Sequence, residues 1–294
     1  MPTSRFSGRT SSPANRKPTD AEVDGYGLTH QGLIRKSNQD HFLIASLRKS
    51  MDVHRTSLPD PKILPTKGER IAWLAMVADG VGGGTGGEVA SRLAVQAVTG
   101  YVAHSMEAYY SADARDQSFL EELQEAAMEC HAELLEQAEK DPDLTGMATT
   151  LTLWLGVWPR AYLLQVGDSR FYLLRNGHLN QISRDQTMAQ ELTDLGILER
   201  TEARNSRWNH ILSSAIGGRQ AAPVVARVEQ NWGDVGLLCS DGLTKHVSDD
   251  QIRDRLMNMT SAREACEQLL QDALDGGGSD NITILVGRTV KHEE

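Results

Sequence analysis

The stretch IAWLAMVADGVGGGTGGE, residues 71–88, decides the fold of this chain. Its first eight residues are apolar without alternation, which is typical of a strand that is buried on both faces. Asp79 ends the apolar run, and a glycine-rich turn leads into a segment with helical character. Because both faces of such a strand need a covering layer, the stretch favours a layered sandwich over a single exposed sheet.

Outward from this stretch, the chain groups its strands and helices in blocks. Strand-like segments precede it, two helices follow it to about residue 140, and several strands, two helices and a last strand come after them. Grouped blocks indicate α+β layers, whereas a doubly wound sheet needs alternating strands and helices. Short turns such as Asn176-Gly177 predict hairpins. We therefore expect an α+β fold of two packed, mainly antiparallel β-sheets flanked by helix pairs.

The domain boundaries follow from local composition. Residues 1–22 are rich in Ser, Thr, Pro, Arg and Gly and are expected to form a disordered tail. Residues 23–290 are expected to form a single domain. Within it, the aperiodic, proline-containing residues 48–70 predict a long surface loop, for which an ordinary insertion is a simpler interpretation than a functional element. The polar stretch around residues 184–215 predicts a short helical excursion off the sheet.

Charge and cysteine usage exclude several classes of protein. A net charge of -10 argues against non-specific binding to nucleic acid or an anionic membrane, which needs clustered Lys and Arg. It suits divalent cations if carboxylates converge, although solubility alone also explains it. Cys130, Cys239 and Cys266 have no CxxC spacing, so neither a disulfide framework nor a zinc site is indicated. Without a membrane-length apolar run or an apolar signal-peptide core, the sequence predicts a cytoplasmic enzyme.

Four aspartates stand where an apolar strand meets a turn, each beside Gly or Ser: Asp79, Asp168, Asp241 and Asp280. Taken singly, each is an ordinary turn residue. If the strands share a sheet edge, however, the four carboxylates converge, and their repulsion is costly unless cations neutralise it. Ligand sets made only of oxygen suit Mg²⁺ or Mn²⁺ and not zinc.

The glycine-rich turn after Asp79 does not match the common phosphate-binding loops. It lacks the Lys-Ser/Thr ending of a Walker loop, and its spacing does not fit a dinucleotide-binding fingerprint. A flexible strand-to-helix connector explains the glycines but not the aspartate before them. We therefore interpret the turn as one in which Gly80 offers its carbonyl to a cation.

Six motifs occur in the order found in bacterial type 2C protein phosphatases of the PPM family, and they resemble that family over residues 23–288. The motifs are RKSNQD (35–40), ADGVGGGTGGE (78–88), GMATTL (146–151), VGDSRFYLL (166–174), CSDGLTKHVSD (239–249) and GGGSDNITILV (276–286). The resemblance implies a two-sheet sandwich with metals in a cleft at one end. It also implies a protein serine/threonine phosphatase that uses Mn²⁺ or Mg²⁺.

The resemblance also assigns roles at the metals. Asp79 is expected to bridge two core ions, and Gly80 to contribute its carbonyl to one of them. Asp241 and Asp280 are expected to complete the shell of the other ion. Asp168 is similar to the residue that, with Asp241, binds a third ion in bacterial members.

Three further expectations come from the same resemblance. Asp40 matches an acidic position that orients metal-bound water from behind, Arg35 matches the phosphate-binding arginine, and residues 184–215 are similar to a mobile flap. The implied reaction is in-line attack of a metal-bridging water or hydroxide on phosphoserine or phosphothreonine. The implied partners are phosphoproteins, namely substrates or autophosphorylated forms of a bacterial Ser/Thr kinase, with no nucleic acid and no membrane.

The sequence departs from the family pattern at several positions. Gln39 replaces a Glu found in some members, Ala148 replaces a glycine, and the flap reads NSRWNH at residues 205–210 without the usual His-Pro pair. Val81 and Gly84 stand where relatives carry histidines, so the motif offers no proton donor for the leaving group. His41 and His30 lie nearby in sequence, but an ordinary structural or exposed role suits each of them better.

Two alternatives to a protein phosphatase stay open at this point. A non-catalytic relative that only binds phosphoprotein would be expected to lack a metal aspartate, and all of those positions are intact. A hydrolase of small phosphoesters would use the same centre. An open cleft would favour phosphoprotein substrates, whereas a closed pocket would favour a small molecule.

Overall fold

The computed structural model describes residues 16–50, 67–82, 85–105, 116–204 and 206–291. Its strands are β1 (Val23–His30), β2 (Asp40–Ser50), β3 (Lys67–Val81), β4 (Ala148–Thr149), β5 (Leu151–Val157), β6 (Arg160–Val166), β7 (Arg170–Arg175), β8 (His178–Gln181), β9 (Val224–Glu229), β10 (Val235–Cys239) and β11 (Ile282–Thr289). Its helices are α1 (Gly86–Ser105), α2 (Asp116–Lys140), α3 (Met188–Asp194), α4 (Arg200–Arg204), α5 (Asp241–Thr244), α6 (Asp249–Asn258) and α7 (Ala262–Asp275).

The strands form two sheets that pack face to face. One has the order β1-β11-β10-β7-β8, and the other has the order β2-β3-β5-β6-β9 with β4 beside β3. Every pair of neighbouring strands is antiparallel. Helices α1 and α2 cover the outer face of the β3 sheet, and α6 and α7 cover that of the β11 sheet. The predicted α+β sandwich is confirmed.

Strand β3 is apolar on both faces because each face packs against a different layer. Leu74 and Met76 belong to the core shared with α1 and α2, whereas Val77 belongs to the core between the two sheets. A strand that alternates between two cores has no solvent-facing positions to fill with polar residues. This arrangement accounts for the unbroken apolar run, and it carries Asp79 to the end of the sandwich.

The structure corrects the end of the predicted tail. Residues 1–15 lie outside the described residues, but residues 16–22 pack against the domain. Glu22 is only 5% exposed and pairs with Arg16, and the Pro18 carbonyl accepts a hydrogen bond from Arg70 at 2.6 Å. The predicted tail was therefore too long, because a polar segment can be held by ion pairs that composition does not reveal.

The predicted loop at residues 48–70 is also shorter than expected. Strand β2 continues to Ser50 and β3 begins at Lys67, with irregular pairing that includes Ser50 opposite Lys67. Residues 51–66 lie outside the described residues. The polar side chains at both ends of the stretch hid the strand pairing, since edge positions tolerate them.

None of the described helices combines the length and apolarity needed to cross a membrane.

His131 gives the fold a testable pH dependence. The backbone N–H of Gly217 donates to His131 Nδ1 at 3.0 Å, and burial lowers the pKa of this imidazole. A base whose folded-state pKa lies below its unfolded value destabilises the fold as pH falls through about 6.5, because the unfolded chain then binds more protons. We expect His131→Asn, which keeps an acceptor near Nδ1, to lose less unfolding free energy than the wild type when the pH falls from neutral to mildly acidic.

Urea unfolding at several pH values checks this expectation. His178→Asn, at an exposed position in β8, is the control and should keep the wild-type pH dependence. An unchanged pH dependence in His131→Asn would show that this imidazole does not couple folding to protonation.

Candidate metal centre

The pairing of β2 with β3 places Asp40 directly opposite Asp79. Directly opposed residues project to the same face of a sheet, so the two carboxylates are neighbours. Asp40 is 4% exposed, and its Oδ2 accepts hydrogen bonds from the hydroxyls of Ser240 at 2.8 Å and Thr283 at 2.7 Å. Its Oδ1 is buried without a hydrogen-bond partner in the described structure. Two hydroxyls thus hold one carboxylate oxygen of Asp40, and the other oxygen has no hydrogen bond in the described structure.

The aspartates predicted from the sequence lie close together, since Asp79, Asp168, Asp241 and Asp280 line one cleft and Asp40 is opposite Asp79. Burial raises the pKa of Asp79 well above its usual range, and the charges on Asp40, Asp241, Asp168 and Asp280 raise it further. Burial likewise raises the pKa of Asp40 to about 6 although two hydroxyls donate to it, and burial followed by Asp241 raises the pKa of Asp168. The structure therefore brings together all five carboxylates, and their mutual repulsion favours the neutral form of Asp79.

Asp241 and Asp280 come from the other sheet. Asp241 is the first residue of α5, directly after β10, and Asp280 lies in the turn before β11. The two turns are in backbone contact, because a Cβ at Gly242 would lie 1.9 Å from the Asn281 carbonyl oxygen. Asp241 Oδ1 is buried and has no hydrogen-bond partner among the described residues. Glycine at position 242 is therefore what lets the two carboxylate-bearing turns meet.

Gly80 lines the cleft between the sheets, directly after Asp79. Its N–H donates to the Gln39 carbonyl at 3.2 Å, and a Cβ at position 80 would lie 2.3 Å from the Gly87 carbonyl oxygen. The end of β3 and the start of α1 are therefore closely packed through backbone alone. The role of the Gly80 carbonyl as a cation ligand stays a prediction.

Arg35 reaches the same cleft from a loop that Asn281 holds in place. The Asn281 amide donates to the carbonyls of Gln31 and Ser37, both at 2.9 Å, and its Oδ1 accepts from the Gln39 N–H. The Arg35 guanidinium contacts Asp280 through two nitrogens, at 2.7 and 2.8 Å, and these hydrogen bonds raise the pKa of the arginine. The predicted phosphate-binding residue is thus in the cleft, paired with a predicted metal ligand.

Lys245 is the residue that the sequence analysis missed. Its Nζ lies 2.6 Å from an oxygen of Asp241 and 2.6 Å from an oxygen of Asp280. Burial lowers the pKa of this ammonium group, but the two carboxylates outweigh burial and raise the pKa above its usual range. Lys245 stands four residues after Asp241, a spacing that places both on one face of a helix and could have signalled the contact.

Divalent cations fit this site by the chemistry of its donors. The carboxylates are oxygen ligands with excess negative charge, and the buried Oδ1 atoms of Asp40 and Asp241 have no hydrogen-bond partner within the described ranges. The side chains are nevertheless not arranged as a closed shell, since no group of three or more His, Cys, Asp or Glu residues in the described ranges could hold an ion as it stands. The ammonium of Lys245 and the guanidinium of Arg35 contact Asp280 instead. An ion at Asp241 and Asp280 would have to displace Lys245.

Removing the Lys245 charge should therefore strengthen cation binding. We expect Lys245→Met to lower the dissociation constant for Mn²⁺ at least tenfold, or about 1.4 kcal/mol, because the ion no longer competes with a tethered cation. Isothermal titration of metal-free protein measures this directly and does not depend on activity.

Lys36→Met, an exposed lysine beside Arg35, controls for the general loss of one positive charge. Weaker Mn²⁺ binding by Lys245→Met would mean that the lysine organises the carboxylates and does not compete with the ion.

Four of the five aspartates line an open cleft of about 1140 Å³, namely Asp79, Asp168, Asp241 and Asp280. Asp79 and Gly80 lie in the cleft, and Met188, His210 and Ile211 from the predicted flap line it as well. The flap contains α3, α4 and a 3-10 turn at Arg207–His210. Its two arms are joined by a hydrogen bond from the Met188 N–H to the Ile211 carbonyl at 2.8 Å. The flap thus forms one wall of the cleft.

The histidines considered from the sequence do not contribute to the cleft. His41 bonds Ser91 at 3.0 Å, and His30 Nδ1 accepts from the Gly32 N–H at 2.9 Å. Val81 lines the cleft but has no ionisable group that could donate a proton to the leaving group. Gly84 lies outside the described residues. Two histidines that the sequence did not single out, His210 and His246, do line the cleft. Of these, His246 Nε2 accepts from the Ser279 N–H at 2.9 Å, so that nitrogen is not a proton donor.

Comparison with known proteins places this geometry in context. Residues 63–276 match the family described as "Protein phosphatase 2C". The serine/threonine protein phosphatase PstP of Mycobacterium tuberculosis is 37% identical over 222 residues, which are 76% of this chain and 41% of the relative. The serine/threonine phosphatase stp of Listeria welshimeri is 33% identical over 214 residues, which are 72% of this chain and 83% of the relative.

A solved structure agrees with the fold. The catalytic domain of PstP in complex with two manganese ions matches with a TM-score of 0.70 and 32% identity, covering 92% of this chain and 99% of that one. The matched region of this chain spans 41% of the length of the full PstP sequence. Two manganese ions in that structure agree with oxygen ligands for hard cations.

Proposed function

We propose that this chain, which belongs to the protein phosphatase 2C family, is a metal-dependent protein serine/threonine phosphatase. The observation that carries the proposal is the convergence of four aspartates from both sheets, with Arg35, on one open cleft, and of Asp40 directly behind Asp79. Carboxylates that repel one another are retained at such cost where cations neutralise them. An arginine beside them can neutralise a phosphoryl group.

The predicted ligands would hold Mn²⁺ or Mg²⁺. Asp79, the Gly80 carbonyl, Asp241 and Asp280 would hold two core ions, and Asp168 with Asp241 would hold a third. When bound, the ions supply Lewis-acid stabilisation of the phosphoryl oxygens and lower the pKa of water in the cleft. Two of these carboxylates, Asp79 and Asp241, come from different sheets, so the site depends on how the sheets pack.

The chain's own residues supply orientation and charge. Arg35 already presents two nitrogens to a carboxylate, a geometry that also suits two phosphate oxygens once the arginine is released from Asp280. Asp40 is held through one oxygen by Ser240 and Thr283, which supports its predicted place behind the metal ligands. The flap helps to wall the cleft and so limits how a substrate can approach.

The shape of the cleft supports a phosphoprotein substrate. The cleft is open, has a volume of about 1140 Å³ and is walled on one side by the polar flap, so it accommodates a phosphorylated polypeptide segment. An enclosed pocket would suit a small ester better. Opposition to a bacterial Ser/Thr kinase and a cytoplasmic location belong to the same proposal. Small phosphoesters are the second candidate, since the same carboxylates could serve them.

The deciding assay uses purified protein and a phosphothreonine peptide. We expect phosphate release with Mn²⁺, none with EDTA, restored release when Mn²⁺ is returned, and none from Asp241→Asn. Full activity in EDTA would contradict the metal requirement. Turnover of a small aryl phosphate with no turnover of any phosphopeptide would replace the proposal with the second candidate.

A further inference from the structure

Three glycines lie side by side across one sheet. Gly25 of β1 pairs with Gly287 of β11, which pairs with Gly236 of β10. Successive residues of a strand face opposite sides, and Leu285 and Leu238, two residues from these glycines, belong to the core between the sheets. The glycine row therefore faces the other sheet. Three adjoining positions without side chains leave a trough in the interior of the sandwich.

The trough opens into a cavity of about 120 Å³. Its lining is largely apolar, and the opposite sheet contributes Trp73, Trp154 and Ile44. Asp79 lies six positions after Trp73 in β3, a distance of about 20 Å along a strand. The cavity is therefore at the other end of the sandwich from the carboxylates and is separate from the candidate metal centre.

The backbone does not require glycine at these three positions. None of the three has a positive φ, so other residues could adopt the same conformation. A Cβ at Gly287 would meet nothing within 4 Å, a Cβ at Gly25 would meet only the Val286 carbonyl at 4.0 Å, and one at Gly236 would lie 3.1 Å from Phe171. A glycine inside a strand weakens it and often marks the close approach of another group. Open space at two of the three positions indicates room for a ligand.

The cavity wall also holds an unsatisfied donor. The indole Nε1 of Trp73 is buried and has no hydrogen-bond partner within the described part of the chain. Buried donors without acceptors are rare in native proteins, and each needs an explanation. A ligand with one acceptor would supply the missing partner.

Residues 16–18 close the mouth of the cavity, and Lys17 and Pro18 line it. The Pro18 carbonyl accepts from Arg70 at 2.6 Å, the Arg16 carbonyl accepts from Trp232 Nε1 at 3.1 Å, and Lys17 donates to the Arg70 carbonyl. The segment is therefore fastened across the opening by its backbone. Entry of a ligand past this segment would require these contacts to open.

We propose that this cavity is a binding site for a small uncharged aromatic molecule that carries one hydrogen-bond acceptor. An apolar cavity of about 150 Å³ is known to stay dry and take up benzene, so the volume here suits a single ring. The charged side chains Arg70, Asp234 and Arg288 in the lining are already paired with Asp20, Arg175 and Asp24, so none of these three is a free counter-charge that would offset the desolvation of an ion. The acceptor is the part of the ligand that Trp73 recognises.

Benzene and pyridine form a matched pair of probes, since they have the same size and pyridine adds one acceptor. Protein-detected NMR titration of the metal-free full chain, at a pH where pyridine is neutral, should show saturable shifts around Trp73 and Gly287 with both probes. Gly287→Leu fills the trough and should weaken the binding of both probes by at least tenfold. Gly100→Leu is the control, because a Cβ at this glycine of α1 also meets nothing within 4 Å and lies away from the cavity.

Trp73→Phe tests the acceptor. This change should lower the affinity for pyridine several-fold relative to that for benzene, because it removes the indole donor and keeps an aromatic wall. If Gly287→Leu does not fold, Gly287→Ala and the wild-type titration still decide the question. No saturable binding of either probe to the wild type, or undiminished binding to a folded Gly287→Leu, would overturn the proposal. Equal losses of affinity for pyridine and benzene in Trp73→Phe would overturn the proposal that Trp73 recognises an acceptor on the ligand.

Discussion

Replacing Asp79 with asparagine is expected to lower kcat/KM on a phosphothreonine peptide by on the order of 10³-fold. Asp79 is predicted to contact both core ions, so its loss should affect both at once. The same change should raise the thermal stability of the metal-free protein. The physical reason is that burial and four neighbouring carboxylates raise the pKa of Asp79, and a neutral amide removes this repulsion.

The two readouts together separate a ligand from a structural residue. A merely structural aspartate would lose activity and stability together, whereas a metal ligand should lose activity and gain stability without metal. Asp143→Asn, an exposed position in the 3-10 turn before β4, should change neither. Activity within tenfold of wild type in Asp79→Asn would remove this residue from the catalytic centre.

Replacing Gly80 with alanine is expected to lower the unfolding free energy by about 3 kcal/mol and kcat/KM by on the order of 10²-fold. The added Cβ would lie 2.3 Å from the Gly87 carbonyl oxygen and 2.7 Å from that of Gln39. Both contacts are with backbone, so β3 or the start of α1 has to shift, and Asp79 shifts with it. Urea unfolding and peptide hydrolysis measure the two effects.

Gly86→Ala is the matched control for this prediction. A Cβ at Gly86 would lie 3.3 Å from the Met147 Cβ, a far milder contact than at Gly80 that needs only a small shift of the neighbour, and the position begins a helix. We expect this variant to stay close to wild type in stability and activity. Similar losses in both variants would attribute the effect to glycine chemistry in the turn and not to the backbone contact at position 80.

The layered fold could be predicted from particular stretches of sequence. The apolar run that ends at Asp79 is buried on both faces as expected, because its side chains alternate between two cores. The grouped strands and helices, and the Asn176-Gly177 turn, also predicted antiparallel sheets flanked by helix pairs correctly. The ends of the tail and loop were mispredicted, since the tail contacts residues as distant in sequence as Arg70, and polar residues at the ends of the loop stretch hid its strand pairing.

The candidate site could be predicted only in part. Aspartates next to small residues at strand ends identified the carboxylates that converge, because turn chemistry is local and readable. The contacts of Lys245 could not be read in the same way. Its partner Asp280 is 35 residues away in sequence, and their meeting depends on the α5 turn and the β11 turn lying together. The holding of Asp40 by Ser240 and Thr283 depends on the two sheets packing face to face.

The sequence alone predicts the site residues, namely Asp79, Asp168, Asp241 and Asp280 at strand ends, Asp40 at the start of β2 and Arg35 before it, and the family resemblance supplies their expected roles. These features are local, because propensity, turn chemistry and motif spacing act over a few residues. Only the tertiary structure decided what each group faces. It pairs Asp280 with Arg35 and Lys245, leaves buried oxygens of Asp40 and Asp241 without hydrogen-bond partners among the described residues, and aligns three glycines into a trough. Such features arise from sheet register and sheet packing, which join residues far apart in the chain and so cannot be read from any one segment.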